Sequence, residues 1–434
     1  MKKCIVILSA VGIFLFPVIS VSAQTDPLTE KMVEAVSTAR LTGYVQSLQD
    51  FQTRYTYTQG NTDAGNWLYE FFAGLGLEVE RHSFTYGGSH TEENIIARIP
   101  GSTHPDEIVA ISGHFDSTSE NPYNLAPGAD DDASAIAGVL EAALIFKDYQ
   151  FERTIEFWCF NAEEQGRRGS QAIAIDYIAA GKEIMAVVNS DMIGYWPTGW
   201  GRDLDVAYEP VSEWLADSII ATCQRYVGIP IQKHPSGACR DDHVSFTDLG
   251  IPAVTNMDCW EAHNGGGENT PHYHRTTDTI NTLNLDCMSQ VVQVNVASVA
   301  DLAGPLSVTA DAYKISAAAG GTITLRLTAG PEEASRQYAI LGSTSGTEPG
   351  FQLPGGPVLP INWDRFTDFV IDNLNTPMFL DFMGNLDAQG MATAQLVVPP
   401  GLLEGWEDVD FYFAYPLLNP PDFASTPIVI DVIP

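Results

Sequence analysis

Apolar and polar residues follow two rhythms along this chain. Residues 28–51, LTEKMVEAVSTARLTGYVQSLQDF, repeat their apolar positions at helical spacing. NTDAGNWLYEFF, beginning at residue 61, does the same until Gly74 and Gly76 end it, and LEVERHSFTY then reads as a strand. Three short apolar runs follow: ENIIARIPG, EIVAISGHFD and TIEFWCF. The last, residues 154–160, reads as a strand buried on both faces. DDASAIAGVLEAALIFKDY reads as a helix whose acidic first turn suits the helix dipole. Strands alternating with helices predict an α/β domain over residues 24–304, with a mainly parallel sheet flanked by helices.

The rhythm changes after ADLAGPLSV. Residues 305–434 are rich in Gly and Pro, and GGTITLRLTAG, TAQLVVPP, DFYFAYPLL and TPIVIDVIP are short strand-like runs. They predict an accessory β-sandwich domain. LGSTSGTEPGFQLPGG is turn chemistry, because it lacks the Gly-Lys-Ser/Thr ending of a phosphate loop. At the other end, Lys2 and Lys3, a long apolar stretch and Val21-Ser22-Ala23 predict a secretory signal peptide over residues 1–23. No other segment is apolar enough to cross a bilayer. A secreted protein without membrane insertion is therefore expected.

Composition narrows the partners. The formal charge is −34, from 21 basic and 55 acidic residues. Such a surface repels nucleic acid and anionic membranes. Removing the signal leaves Cys159, Cys223, Cys239, Cys259 and Cys287, an odd set for an oxidising compartment. Cys159 lies in the buried run and is expected to stay a thiol. No Cys-x-x-Cys occurs, which argues against cysteine as a metal ligand.

Acidic and histidine groups recur where strands end. SGHFDS carries His114 and Asp116, PGADDDAS carries Asp130, Asp131 and Asp132, and FNAEEQGRRGS carries Glu163 and Glu164. VVNSDMIG carries Asp191, and PHYHRTTDT carries His272 and His274. Singly each is ordinary, since an Asp before a helix is usually a cap. In a parallel sheet, however, these exits share one edge, where open α/β folds bind their ligands. Two imidazoles and three carboxylates suit Zn²⁺. With one carboxylate shared, five side chains can hold two ions about 3.5–4 Å apart. Adjacent glutamates then divide the work, one on metal and one taking a proton from water.

Those five motifs, in this order, resemble the secreted co-catalytic zinc aminopeptidases of the bacterial leucyl aminopeptidase type. The resemblance runs from about residue 25 to residue 304. It implies two Zn²⁺ ions, with His114 and Asp191 on one, Glu164 and His274 on the other, and Asp131 bridging them. It further implies that Glu163 is the general base generating a metal-bridged hydroxide, and that Asp116 orients His114 through its second ring nitrogen. Met192 and Tyr273 adjoin ligands and are expected to line an apolar pocket. His243, in GACRDDHVSF, is expected to shape that pocket. Some relatives carry a short-range disulfide in this segment, where this chain has Pro235 and only Cys239, so a Cys239–Cys259 pairing is expected. The implied activity is removal of N-terminal, large apolar residues from peptides. Alternatives on the same scaffold are a one-zinc glutaminyl-peptide cyclase, a carboxypeptidase, or a non-catalytic binding domain.

Overall fold

Capping divides the first helical stretch in two. Asp26 accepts from the amides of Leu28 and Thr29 and starts α1, Pro27–Glu34. Ser37 accepts from Arg40 N and starts α2, Thr38–Gln49, while its own amide bonds Glu141 Oε1. The apolar periodicity runs through this break unchanged, because both helices bury the same side of the chain. A computed structural model describes residues 25–196, 203–237, 239–258 and 270–434. The expected signal peptide lies outside the described residues.

After α3 (Gln59–Gly74), strands β1 (Glu78–Tyr86) and β2 (His90–Ile99) form a hairpin turned at Gly87 and Gly88, both at positive φ. Then come β3 (His104–His114), α4 (Ala133–Phe146), β4 (Gln150–Phe151), β5 (Arg153–Phe160), α5 (Arg168–Ala179) and β6 (Glu183–Ser190). The unit closes with β7 (Leu204–Tyr208), α6 (Glu213–Tyr226), β8 (Ile231–Pro235), α7 (His243–Thr247), β9 (Ala253–Met257) and α8 (Leu285–Ala303).

The sheet has eight strands in the order β1-β2-β5-β3-β6-β9-β7-β8. Its middle, β5-β3-β6-β9, is parallel. The flanks turn antiparallel at β2–β5 and β9–β7, so the sheet is mixed around a parallel centre. Side chains alternate across it with period two. Ile155, Phe157 and Cys159 of β5 join the core beneath α4 and α8, whereas Trp158 and Phe160 join the cluster with Ile173, Tyr177 and Phe246 of α5 and α7. Burial on both faces is why β5 reads as a nearly unbroken apolar run.

Residues beyond Gly304 build two four-stranded sheets. One orders strands 308–310, 321–328, 391–398 and 379–380; the other orders 314–316, 428–433, 410–414 and 341–343. Ile323, Leu325, Leu396, Phe411, Phe413 and Ile430 belong to the apolar cluster that continues from the α/β unit. A helix the apolar rhythm did not reveal, α9 (Arg365–Asp372), starts on an Asp364–Thr367 capping box. Pairing of Pro305–Leu306 with β4, and Lys31 bonded to Glu332 at 2.9 Å, tie this region to the α/β unit. Among the described residues no helix is long and apolar enough to cross a membrane.

Candidate metal centre

Because β3, β5, β6 and β9 run parallel, their carboxyl ends open at one edge of the sheet. His114 is the last residue of β3, Glu163 and Glu164 follow β5, and Asp191 follows β6. Asp131 lies just before α4, and His274 comes from the loop preceding α8. The fold brings all of them together.

Asp131 is the centre of the arrangement. Its Oδ1 faces His114 Nε2 at 3.2 Å, and its Oδ2 faces His274 Nε2 at 3.2 Å. His114 Nε2 also lies 3.8 Å from Asp191 Oδ1, and His274 Nε2 lies 3.1 Å from Glu164 Oε2. Two triads result, His114–Asp131–Asp191 and Asp131–Glu164–His274, each with ligand atoms within 4.8 Å of one another. Four of the five side chains are nearly inaccessible, and His274, at 38% exposure, forms the open side.

The donor chemistry fits divalent cations. Burial raises the pKa of Glu163, Asp191 and Asp132 well above the carboxylate range, and brings Glu164 to about 7. Asp131 moves the other way: against burial, its hydrogen bonds to His114 and His274 hold its pKa below the usual range. Burial lowers the His274 pKa, but Asp131 and Glu164 outweigh it and bring the imidazole to about 10. In addition, Glu164 Oε1 is buried without a hydrogen-bond partner. Without cations, protons neutralise Glu163 and Asp191, while the two imidazoles balance Asp131. Divalent ions would displace those protons and use the same lone pairs.

The surrounding groups fix backbone positions. The Asp116 carboxylate accepts from the amides of Glu163 (3.0 Å) and Glu164 (3.2 Å). His114 Nδ1 lies 3.1 Å from the Asp116 carbonyl and 3.5 Å from its Oδ1. Asp116 therefore holds His114 mainly through its backbone, and spends its carboxylate on the glutamate pair. Asp132 caps α4, and it also accepts from the amides of His114 and Met192.

Two residues with clear roles escaped sequence reasoning. Asp278 accepts from the amides of Asp130 and Asp131, which fixes the backbone of the residue shared by both triads. It is the next-to-last residue of the HRTTDT motif, but nothing in that string marks it as a backbone acceptor. Fully buried Arg54 donates to the carbonyls of Leu48, Phe115, Pro127 and Gly128 beneath the site. Burial lowers its pKa to about 10, while Asp278, Asp116, Asp132 and Asp131 oppose that shift. As an isolated arginine in irregular sequence, it carried no signal.

The pocket candidates are distributed differently. Tyr273 stacks on His274 with ring centroids 3.8 Å apart. Met192 is buried at 2% exposure, and its backbone takes φ 58°, uncommon for a non-glycine residue. His243 is fully buried, with Nε2 2.8 Å from Ser236 Oγ. Met192 and His243 are thus both almost wholly buried. His272 turns to Thr277 Oγ1 at 2.9 Å and stays out of the triads. Cys159 is a buried thiol. Cys239 Sγ lies 3.0 Å from Asp241 Oδ2, and its expected partner Cys259 lies outside the described residues.

The family model for peptidase family M28 matches residues 94–299, the stretch that carries all five candidate ligands. Over that stretch the chain is similar to peptidase family M28. A probable leucine aminopeptidase of Trichophyton verrucosum is 28% identical to this chain over 291 residues, covering 63% of this chain and 76% of the relative. LapB of Legionella pneumophila has a TM-score of 0.56 at 23% identity, over 63% of this chain and 74% of LapB. BSAP, a zinc aminopeptidase from Bacillus subtilis, has a TM-score of 0.54 at 15% identity, over 62% and 96%. A glutaminyl cyclase of Fimbriiglobus ruber has a TM-score of 0.51 at 22% identity, over 61% and 95%. At these identities the three structures show a shared fold.

Proposed function

We propose that this chain is a secreted zinc aminopeptidase that removes large apolar residues from the free amino end of peptides. His114 and Asp191 would hold one Zn²⁺, Glu164 and His274 would hold a second, and Asp131 would be shared. The observation that carries this reading is Asp131, which turns one oxygen to each histidine. Bound zinc supplies Lewis-acid polarisation of the scissile carbonyl and acidifies the attacking water.

The chain's own groups do the rest. Glu163 accepts the water's proton and delivers it to the leaving amine, a role that requires a carboxylate beside the metals but not on them. Asp116 keeps Glu163 and Glu164 in register by holding both amides. The leucine aminopeptidase relatives support the apolar first residue, and residues 1–23 support export.

Metal analysis with a fluorogenic leucine substrate tests this. Two zinc ions per chain and cleavage of leucyl amides are expected, and His114→Ala should lose one ion and most activity. One tight zinc, with ammonia released from N-terminal glutamine, would establish the cyclase instead.

A further inference from the structure

Five aromatic rings gather at the open side of the metal centre, and neither the ligand set nor its braces use them. Tyr55 pairs edge-on with Tyr57 (5.4 Å) and Tyr123 (5.1 Å), and Tyr57 with His90 (4.9 Å). Tyr86 lies 5.8 Å from His90. They come from three separate pieces of chain: the segment before α3, the β1–β2 hairpin, and the loop after β3. Despite that effort of assembly, Tyr57 and Tyr123 remain 37% and 63% exposed.

Short links bind this cluster to the site. Thr56, between Tyr55 and Tyr57, bonds Asp116 Oδ2 at 3.3 Å, and Gln165, next to Glu164, bonds Thr56 Oγ1 at 3.3 Å. On the other side, Glu120 of the Tyr123 loop accepts from Thr276 N and Thr276 Oγ1, both at 2.8 Å, two residues beyond His274. The cluster thus borders the Glu164–His274 side. That is the side through which the site opens, since His274 is the one exposed ligand.

We propose that this aromatic cluster is a downstream subsite, binding an apolar or aromatic side chain in the two residues that follow the scissile bond. The proposal rests on the aminopeptidase reading. A peptide held by its amino end must leave through the open side, and an extended chain advances about 3.3 Å per residue. The first residues after the cleaved bond therefore pass the exposed faces of Tyr57 and Tyr123. Those faces offer edge and stacking contacts at small conformational cost.

The test compares Leu-Phe-Gly with Leu-Gly-Gly on the full zinc-loaded chain, with leucinamide as a substrate that ends at the first residue. A reduced-bond Leu-Phe analogue, titrated by calorimetry into the metal-free protein, reads binding without turnover. The parent should prefer Leu-Phe-Gly in kcat/KM by about tenfold. Tyr57→Ala and Tyr123→Ala should each reduce that ratio about threefold to tenfold, mainly through KM, and weaken the analogue equally. Tyr57→Phe should restore it. An unchanged ratio in both alanine variants, or a parent indifferent to the second residue, overturns the subsite. Leucinamide and both peptides left uncut would instead overturn the aminopeptidase reading beneath it.

Discussion

Glu163 and Glu164 share one backbone anchor, the Asp116 carboxylate, and diverge from it into different roles. Glu163→Gln keeps the shape but cannot take a proton. It is expected to retain both zinc ions while kcat falls on the order of 10²–10⁴. Glu164→Ala is expected to lower zinc content and activity together, so metal analysis beside kinetics separates the two. His243 gives a test away from the metals. Burial lowers its pKa to about 4, with Asp241 and Asp248 opposing and Arg167 and Arg240 assisting. The unfolded chain, near 6.5, binds the proton first. Stability from neutral His243 is therefore full above about pH 6.5 and is lost as pH falls toward 4. His243→Gln should flatten the pH dependence of the urea midpoint in that window, by at most one proton.

At the scale of elements, strand direction assembles the site and irregular loops aim it. The parallel centre carries His114, Glu163, Glu164 and Asp191 to one edge, but the loop 127–132 must deliver Asp131 between them. Arg54 and Asp278 hold that loop from opposite sides, one at its carbonyls and one at its amides. Arg54→Leu leaves the Phe115 and Pro127 carbonyls without a donor, while those of Leu48 and Gly128 keep the amides of Phe51 and Ala133. At about 1–3 kcal/mol for each group left unsatisfied, a loss of about 2–6 kcal/mol is expected in chemical denaturation. Asp278→Ala should act more locally, weakening zinc affinity by about 10–100-fold because the shared ligand is no longer fixed.

For the whole molecule, the buried acidic cluster and the shared core lead to separate expectations. Chelation should lower the melting temperature and restored zinc should raise it, since ions that bind only the folded chain stabilise it by mass action. We also propose that residues 24–304 are a catalytic unit and 305–434 an accessory one, because all five ligands precede Gly304. A chain ending at Leu306 keeps the strand paired with β4 but uncovers apolar surface that now joins the two parts. It should still bind zinc and cleave a leucyl amide, with a lower melting temperature than the full chain.

The sequence by itself determined much of this protein. Period-two and period-3.6 patterns are local properties, so the α/β alternation, the doubly buried β5 and the change of texture after residue 304 were legible. So were the residues of the two candidate triads, because metal chemistry restricts ligands to few residue types and these stand at strand exits. Tertiary structure alone decided the rest. Sheet direction at the flanks follows from which strands become neighbours, and the Val36–Ser37 break follows from Ser37 meeting Glu141, 104 residues away. Asp278 and Arg54 act on backbone groups, whose positions no side-chain pattern records. Met192 and His243 adjoin the same motifs yet are buried at 2% exposure or less, since burial depends on what packs against a residue and not on its neighbours in the chain.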